Sequence, residues 1–239
     1  DFSFDLSIFP IWTCFEVGAK LFSVPKKQSM LPAKFVNDNE ITVWCSVPSV
    51  LTLLNSFGLL KPNMYPSIKF SLFCGEALPQ KSAQEWQLAA PNSLSDNLYG
   101  PTEATVFATY YQLTRETESE SIHGVVSIGK PLPGMEISLI DSNLKQVTNG
   151  VGEICIAGPQ VAPGYFGNPS SGKEKFLHLD FKLTKDEKIW YRTGDLGEYN
   201  ENGNLLFMGR LDDQVKIMGH RIELSEIDYV IKKFVDSDE

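Results

Sequence analysis

Along residues 1–112, short apolar runs of β character alternate with longer stretches whose apolar positions recur at helical spacing. Strands paired in parallel through helical crossovers leave that pattern. It predicts strands over Ile41–Trp44, Lys69–Phe73 and Leu94–Leu98. Helices are expected over Pro48–Asn55, with proline in the first turn, and over Pro79–Ala89. From Ser127 the texture changes to short strands between turn signals: Glu136–Ile140, Glu153–Ala157, Ile189–Arg192 and Leu205–Gly209. An α/β half is thus followed by a smaller β-rich subdomain. At the end, Leu224, Ile227, Val230, Ile231 and Phe234 fall on one face of a helix over Leu224–Val235, with Ser225 and Asp228 as a capping signal. An apolar stripe there is expected to need partner elements beyond Glu239. Thr114–Ser121, Pro169–Lys175 and Leu183–Lys188 are polar and read as solvated loops.

Composition narrows the function. A chain of 239 residues that is 42% hydrophobic can bury a large core, and its length suits one large domain or one domain plus a piece of another. The net charge of −9, without a basic stripe, argues against nucleic-acid binding. Cys14, Cys45, Cys74 and Cys155 are scattered in apolar surroundings with no metal-ligand spacing, so buried free thiols in a reducing cytoplasm are expected. Pro10, Asp38, Ser46 and Gly58 break the apolar runs, which excludes a membrane-spanning helix, and the opening Asp-Phe-Ser-Phe-Asp has no signal-peptide character. His123, His178 and His220 have no nucleophile or metal partner in view and read as surface residues.

Three segments offer chemistry. Asn97-Leu98-Tyr99-Gly100-Pro101-Thr102-Glu103 lies where a strand ends, the usual ligand position in an α/β sheet. Its tyrosine can stack on a purine, its asparagine can read the base edge, and its threonine and glutamate offer hard oxygens near a phosphate-bound Mg²⁺. Taken alone, Gly-Pro-Thr-Glu is also an ordinary turn. In Tyr191-Arg192-Thr193-Gly194-Asp195 the carboxylate can accept two ribose hydroxyls, although Thr-Gly-Asp by itself is a common turn too. Gly209 to Glu223 is dense in charge and bounded by glycines that permit movement, or it is simply a solvated hairpin.

These strings occur in one order with Gly152-Glu153-Ile154-Cys155-Ile156-Ala157-Gly158 and Val161-Ala162-Pro163-Gly164-Tyr165. Together they resemble the adenylate-forming superfamily, in particular the amino-acid adenylation domains of nonribosomal peptide synthetases and the D-alanine:carrier-protein ligases. The resemblance implies a large core of mixed and parallel sheets flanked by helices over 1–123. It implies a β-rich, barrel-like subdomain over 124–211, then a hinge and the start of a small α+β C-terminal domain over 212–239. It implies that ATP activates an amino acid as an aminoacyl-adenylate, which then passes to the phosphopantetheine thiol of a carrier protein. By motif match, Tyr99 stacks on adenine, Asn97 lies near its edge, and Gly75, Glu76 and Ala77 form the other wall, beside Gly100. Thr102 contacts the α-phosphate, Glu103 holds Mg²⁺, Asp195 binds the ribose and Arg210 stays near ribose and phosphate. Asp212 is the hinge, and Gly219 lines the pantetheine channel.

Asp5, in Phe4-Asp5-Leu6-Ser7, matches the counter-ion of the substrate ammonium, a role that physics also requires because a desolvated ammonium needs a carboxylate. A helix-capping aspartate is the plainer alternative. Counting from the same motifs, the side-chain pocket is walled by Leu6, Phe9, Cys45, Leu72, Cys74, Leu98, Val106 and Phe107. None is charged, which favours a small or aliphatic amino acid. Trp44–Ser49 and Phe73–Pro79 lean towards the D-alanine ligases, while Gln214–Ile217 and Arg221–Glu223 lean towards peptide synthetases; alanine suits both. Met218 and Ser225 depart from the family's usual basic residue and glycine. The family's phosphate loop and its C-terminal catalytic lysine have no counterpart here, so the polypeptide alone is expected to adenylate poorly. An acyl-CoA or aryl-acid ligase, disfavoured by Asp5, and a non-catalytic nucleotide-binding relic are the alternatives.

Overall fold

The computed structural model describes residues 4–29, 31–113, 119–167, 172–179, 188–217 and 220–235. Its first sheet carries strands in the order β1 (Val43–Ser46), β2 (Phe70–Phe73), β3 (Leu94–Tyr99), β4 (Thr109–Leu113) and β7 (Lys130–Pro131). β1, β2 and β3 run parallel, β4 returns antiparallel to β3, and β7 pairs antiparallel with β4. The sheet is therefore mixed. Helices α3 (Ser49–Ser56) and α4 (Gln80–Ala89) make the crossovers and bury Leu51, Leu54, Ala83 and Trp86 with Tyr65, Ile68 and Phe73. Trp86 stacks on Tyr65 with ring centroids 5.2 Å apart, and its indole N–H donates to Ser71 Oγ at 2.8 Å. Truncating a buried aromatic so fully engaged typically costs about 3–5 kcal/mol.

β1 begins two residues later than the pattern predicts. The Ile41 amide closes helix α2 (Ala33–Asp38) on Val36, and the Thr42 carbonyl receives Lys69 and Phe70, so the ladder starts beyond them. α1 (Ile8–Glu16) escapes a periodicity search because its run is apolar on every side; Pro10 is tolerated as its third residue, where no amide is needed.

A second sheet holds β10 (Phe176–His178), β11 (Ile189–Tyr199), β9 (Gly152–Ala157) and β8 (Glu136–Ile140) in that order, with β12 (Leu205–Arg210) on β11. All its pairs are antiparallel. β11 runs far past Arg192, and its register on β9 breaks between Arg192 and Leu196. The Ser127–Lys130 segment joins the two sheets. Ile128 and Gly129 donate their amides to Leu205 O, Leu205 N returns to Gly129 O, and Thr109 Oγ1 donates to Ile128 O. A small ribbon, β5 (Ser121–Ile122) with β6 (Val125–Val126), lies just before this junction.

After β12 the chain enters hairpin β13 (Gln214–Ile217) and β14 (His220–Glu223), then α5 (Leu224–Val235). That helix starts at Leu224, which puts Ser225 inside its first turn and not at its cap. The polar segment expected to be a solvated loop over Thr114–Ser121 lies outside the described residues up to 118, and its remainder is docked. Ser119 is buried, with its carbonyl accepting from Gln80, while Glu120 receives Asn200, Asn202 and Asn204. Of the other expected loops, residues 169–171 and 183–187 likewise lie outside the described residues. Among the described residues no helix is long and apolar enough to cross a membrane.

Candidate active site

The ends of the parallel strands converge on a cavity of about 380 Å³ lined by Gly75, Glu76, Ala77, Tyr99, Asp195 and Arg210, among others. Gly75–Ala77 is held by Glu76, whose carboxylate accepts the Ser49 amide at the start of α3. Gly100 passes so close to the loop beyond it that a Cβ would lie 2.7 Å from Val106 O and 2.8 Å from Ala108 N. Thr105 and Val106 take left-handed backbone angles, φ +55° and +73°. For a β-branched residue that is strained, and it is held by the Ala108 amide bond to Tyr99 O and by Cys74 Sγ donating to Val106 O at 3.8 Å. Asn97 is placed behind the cavity wall. Its side-chain amide donates to Val126 O and Ser127 O, which fixes the β3 end against the segment joining the sheets.

Asp195 is presented by the break in β11. Arg192 donates from Nε and Nη2 to Glu153 Oε2, Gly194 N donates to Glu153 Oε1, and Thr193 Oγ1 donates to Ile154 O. Thus clamped, Asp195 accepts the Tyr99 hydroxyl at 2.7 Å and Arg210 Nη1 at 2.5 Å. Burial, with the Asp195 charge adding to it, holds the Tyr99 phenol well above its ordinary range, so it donates at all working pH. Arg210 also grips both oxygens of Asp212, through Nε at 2.6 Å and Nη2 at 2.7 Å. That bidentate bond lowers the Asp212 carboxyl. The residue expected to be a hinge is thus locked to β12 in this state.

Next to this cavity lies a smaller one, about 60 Å³, reached by Asp5, Leu6, Cys74, Thr102, Val106 and Arg221. Asp5 is the first residue of the 3-10 turn ahead of α1, and the N-cap positions of that turn and of α1 are held by Phe4 and Ser7. Asp5 accepts the Thr102 hydroxyl at 2.5 Å. All eight residues counted as pocket walls, Leu6, Phe9, Cys45, Leu72, Cys74, Leu98, Val106 and Phe107, fall in one apolar cluster, which gains Leu132. Burial pushes the Cys45 and Cys74 thiols up to about 12, so neither is a nucleophile near neutrality.

Glu103 is nearly buried. Its Oε1 accepts the Tyr165 hydroxyl at 2.7 Å, and Arg221 Nη1 lies 3.2 Å from each carboxylate oxygen. Burial alone would raise this carboxyl, yet the Tyr165 bond and the Arg221 charge hold it below its ordinary value. Gly219 lies outside the described residues.

The AMP-binding enzyme family matches residues 1–166. The chain belongs to that family. Its relatives include a delta-poly-L-ornithine synthetase of Acinetobacter baumannii, 37% identical over 95% of this chain and 16% of that protein. A D-alanine--D-alanyl carrier protein ligase of Bacillus licheniformis is 35% identical over 97% of this chain and 45% of its own length. Among solved structures, the Vibrio cholerae adenylation domain AlmE in complex with glycyl-adenosine-5'-phosphate superposes with a TM-score of 0.84 at 34% identity, covering 96% of this chain and 43% of that one. The chain therefore spans less than half the length of these relatives. As a member of the AMP-binding enzymes it has the fold expected of an adenylation domain, a mixed sheet with flanking helices.

Arg221, Tyr165, Glu153 and Lys216 belong to the site region without having been singled out by sequence. Lys216 lines both cavities from the hairpin. Each stood inside a recognised motif, but only the three-dimensional arrangement brings it to this region.

Proposed function

We propose that the chain forms the nucleotide- and amino-acid-binding part of an adenylate-forming ligase that activates a small amino acid and hands it to a carrier protein. The observation that carries this reading is Asp5: an acidic group at the mouth of an uncharged apolar cluster, hydrogen-bonded to Thr102 of the Gly-Pro-Thr-Glu turn. The names of the relatives support it, one being a ligase for a D-alanyl carrier protein and another a domain bound to a glycyl adenylate. The small cavity offers room for roughly four or five water-sized groups, a fit for glycine or alanine.

In this mechanism the substrate carboxylate attacks the α-phosphorus of ATP. The new acyl–O–P bond forms as the bond to pyrophosphate breaks, and the thiol of a carrier's phosphopantetheine arm later displaces AMP from the acyl carbon. Asp5 holds the substrate ammonium. Tyr99 and Gly75–Ala77 flank the adenine, Asp195 accepts the ribose hydroxyls on its remaining lone pairs, and Thr102 turns its hydroxyl to the α-phosphate. Arg210 offsets charge on the phosphate side, and Asp212 is the point at which residues 212–239 turn relative to 1–123 and 124–211. Glu103, with the Thr102 hydroxyl, would supply hard oxygen ligands of the kind that suit Mg²⁺, although the described residues hold no cluster of three ligands. Bound there, the ion would neutralise charge on the phosphates. Four free cysteines support a cytoplasmic site of action, and the acidic balance supports a role without nucleic acid.

The test is calorimetric binding of a non-hydrolysable alanyl-adenylate analogue, of its counterpart lacking the amino group, and of AMP. The amino compound is expected to bind tightest. Asp5→Ala should cost it about 10–100-fold, the usual value of a charge-assisted bond, and leave AMP unchanged. Equal binding of the analogue lacking the amino group would overturn amino-acid activation in favour of a plain acyl ligase.

A further inference from the structure

Glu103 is paired across the molecule. The residue sits in the turn after β3, while its partner Arg221 comes from β14, beyond Asp212. The two partners are unequally placed. The Glu103 side chain is 10% exposed, and the Arg221 side chain is 38% exposed. Arg221 can withdraw to water at little cost, whereas Glu103 cannot, and a nearly buried carboxylate stripped of its cation is strongly destabilised. Tyr165 supplies one hydrogen bond but no charge. The carboxylate therefore always demands a cation, and two cations on it at once repel each other at close range.

We propose that Arg221 and the divalent metal alternate on Glu103, which makes Arg221 a positioning residue that reports metal occupancy to the hairpin. This rests on the assignment of Glu103 as the metal ligand. When the carboxylate ligates metal, Arg221 leaves with β13–β14, and Lys216, which lines both cavities from β13, leaves with it. Once the metal has gone, Arg221 returns to Glu103 and Lys216 to the site. The consequence is an ordering device: the hairpin seats itself only after the metal has departed.

The experiment uses Mn²⁺ alone as the probe, with free Mn²⁺ counted by its paramagnetic resonance signal, on the intact chain and on Arg221→Ala, Arg221→Lys and Glu103→Gln. Arg221→Ala should bind Mn²⁺ about fivefold tighter, the order expected when a part-exposed competing ion pair is removed. Arg221→Lys should stay near the parent, and Glu103→Gln should lose binding. Trypsin cleavage after Lys216 should be accelerated by Mn²⁺ in the parent and be already fast, and insensitive to Mn²⁺, in Arg221→Ala. A merely structural arginine would lower stability without raising metal affinity. If Arg221→Ala does not fold, Arg221→Gln gives the same comparison. Unchanged or weaker Mn²⁺ affinity on losing Arg221, with Glu103→Gln still abolishing binding, overturns the alternation and leaves the metal assignment standing. Retained binding in Glu103→Gln overturns the metal assignment itself, and the alternation with it.

Discussion

Gly194 holds a left-handed backbone at φ +75° between Thr193 and Asp195, and a Cβ there would meet Arg210 Nη2 at 2.8 Å. Gly194→Ala is expected to destabilise the chain by about 1–3 kcal/mol, from backbone strain and a displaced guanidinium together. Thermal denaturation would register the loss, and AMP affinity should fall with it because Asp195 shares that arginine. A second residue-level outcome concerns acid. Burial raises the Glu103 carboxyl, but its bonds from Tyr165 and the Arg221 charge prevail, so the folded value lies below the ordinary 4.5. A depressed carboxylate contributes stability that is fully present above its ordinary value and is lost as the pH falls through the folded one. As the pH falls below 4.5, Glu103→Gln should therefore lose stability less steeply than the parent. An identical slope in chemical denaturation series would show that the pair contributes nothing to acid sensitivity.

Among the elements, the break in β11 depends on one carboxylate. Glu153 accepts two guanidinium bonds and one backbone amide, and through them it shapes Thr193–Asp195. Glu153→Ala removes a nearly buried partner, for which a loss of about 3 kcal/mol is expected, at the low end because Arg192 still reaches water. Unfolding in urea would show it as a lowered midpoint. Strands with a clear two-residue alternation, such as β8, were legible from sequence to the residue, and so was α5 from its stripe. α1 was not, because a helix that is apolar all round has no period to read. β4 was missed for another reason: its partners lie across a sheet, and pairing, not local preference, decides it. Within the site, the motifs singled out Asp5, Tyr99, Glu103 and Asp195 as candidates. Their mutual bonds could not be read there, since Asp5 and Thr102 are far apart in the chain and meet only through the fold.

For the molecule as a whole, apolar surface stands out. Trp12, Phe15 and Val17 are more than 60% exposed along and just beyond α1, and Leu224, Ile227, Val230 and Ile231 are exposed on α5. Exposed apolar side chains in such numbers favour association in water. The 239-residue chain should therefore sediment with a concentration-dependent mass. Trp12→Glu with Phe15→Lys should suppress this while leaving the circular dichroism spectrum unchanged. A concentration-independent monomer in the parent would contradict the expectation.

The main-chain weld at Ser127–Lys130 and Leu205 bears on how such proteins can be recombined. A chimera that exchanges one sheet and keeps the other severs bonds in which backbone meets backbone, and Gly129 cannot be traded for any side chain because a Cβ would lie 1.9 Å from Tyr110 O. Crossovers that carry residues 127–131 and 205 together preserve the joint. Cuts at 211–213, after the last strand of the second sheet, spare it altogether and leave a hairpin and helix as the portable module.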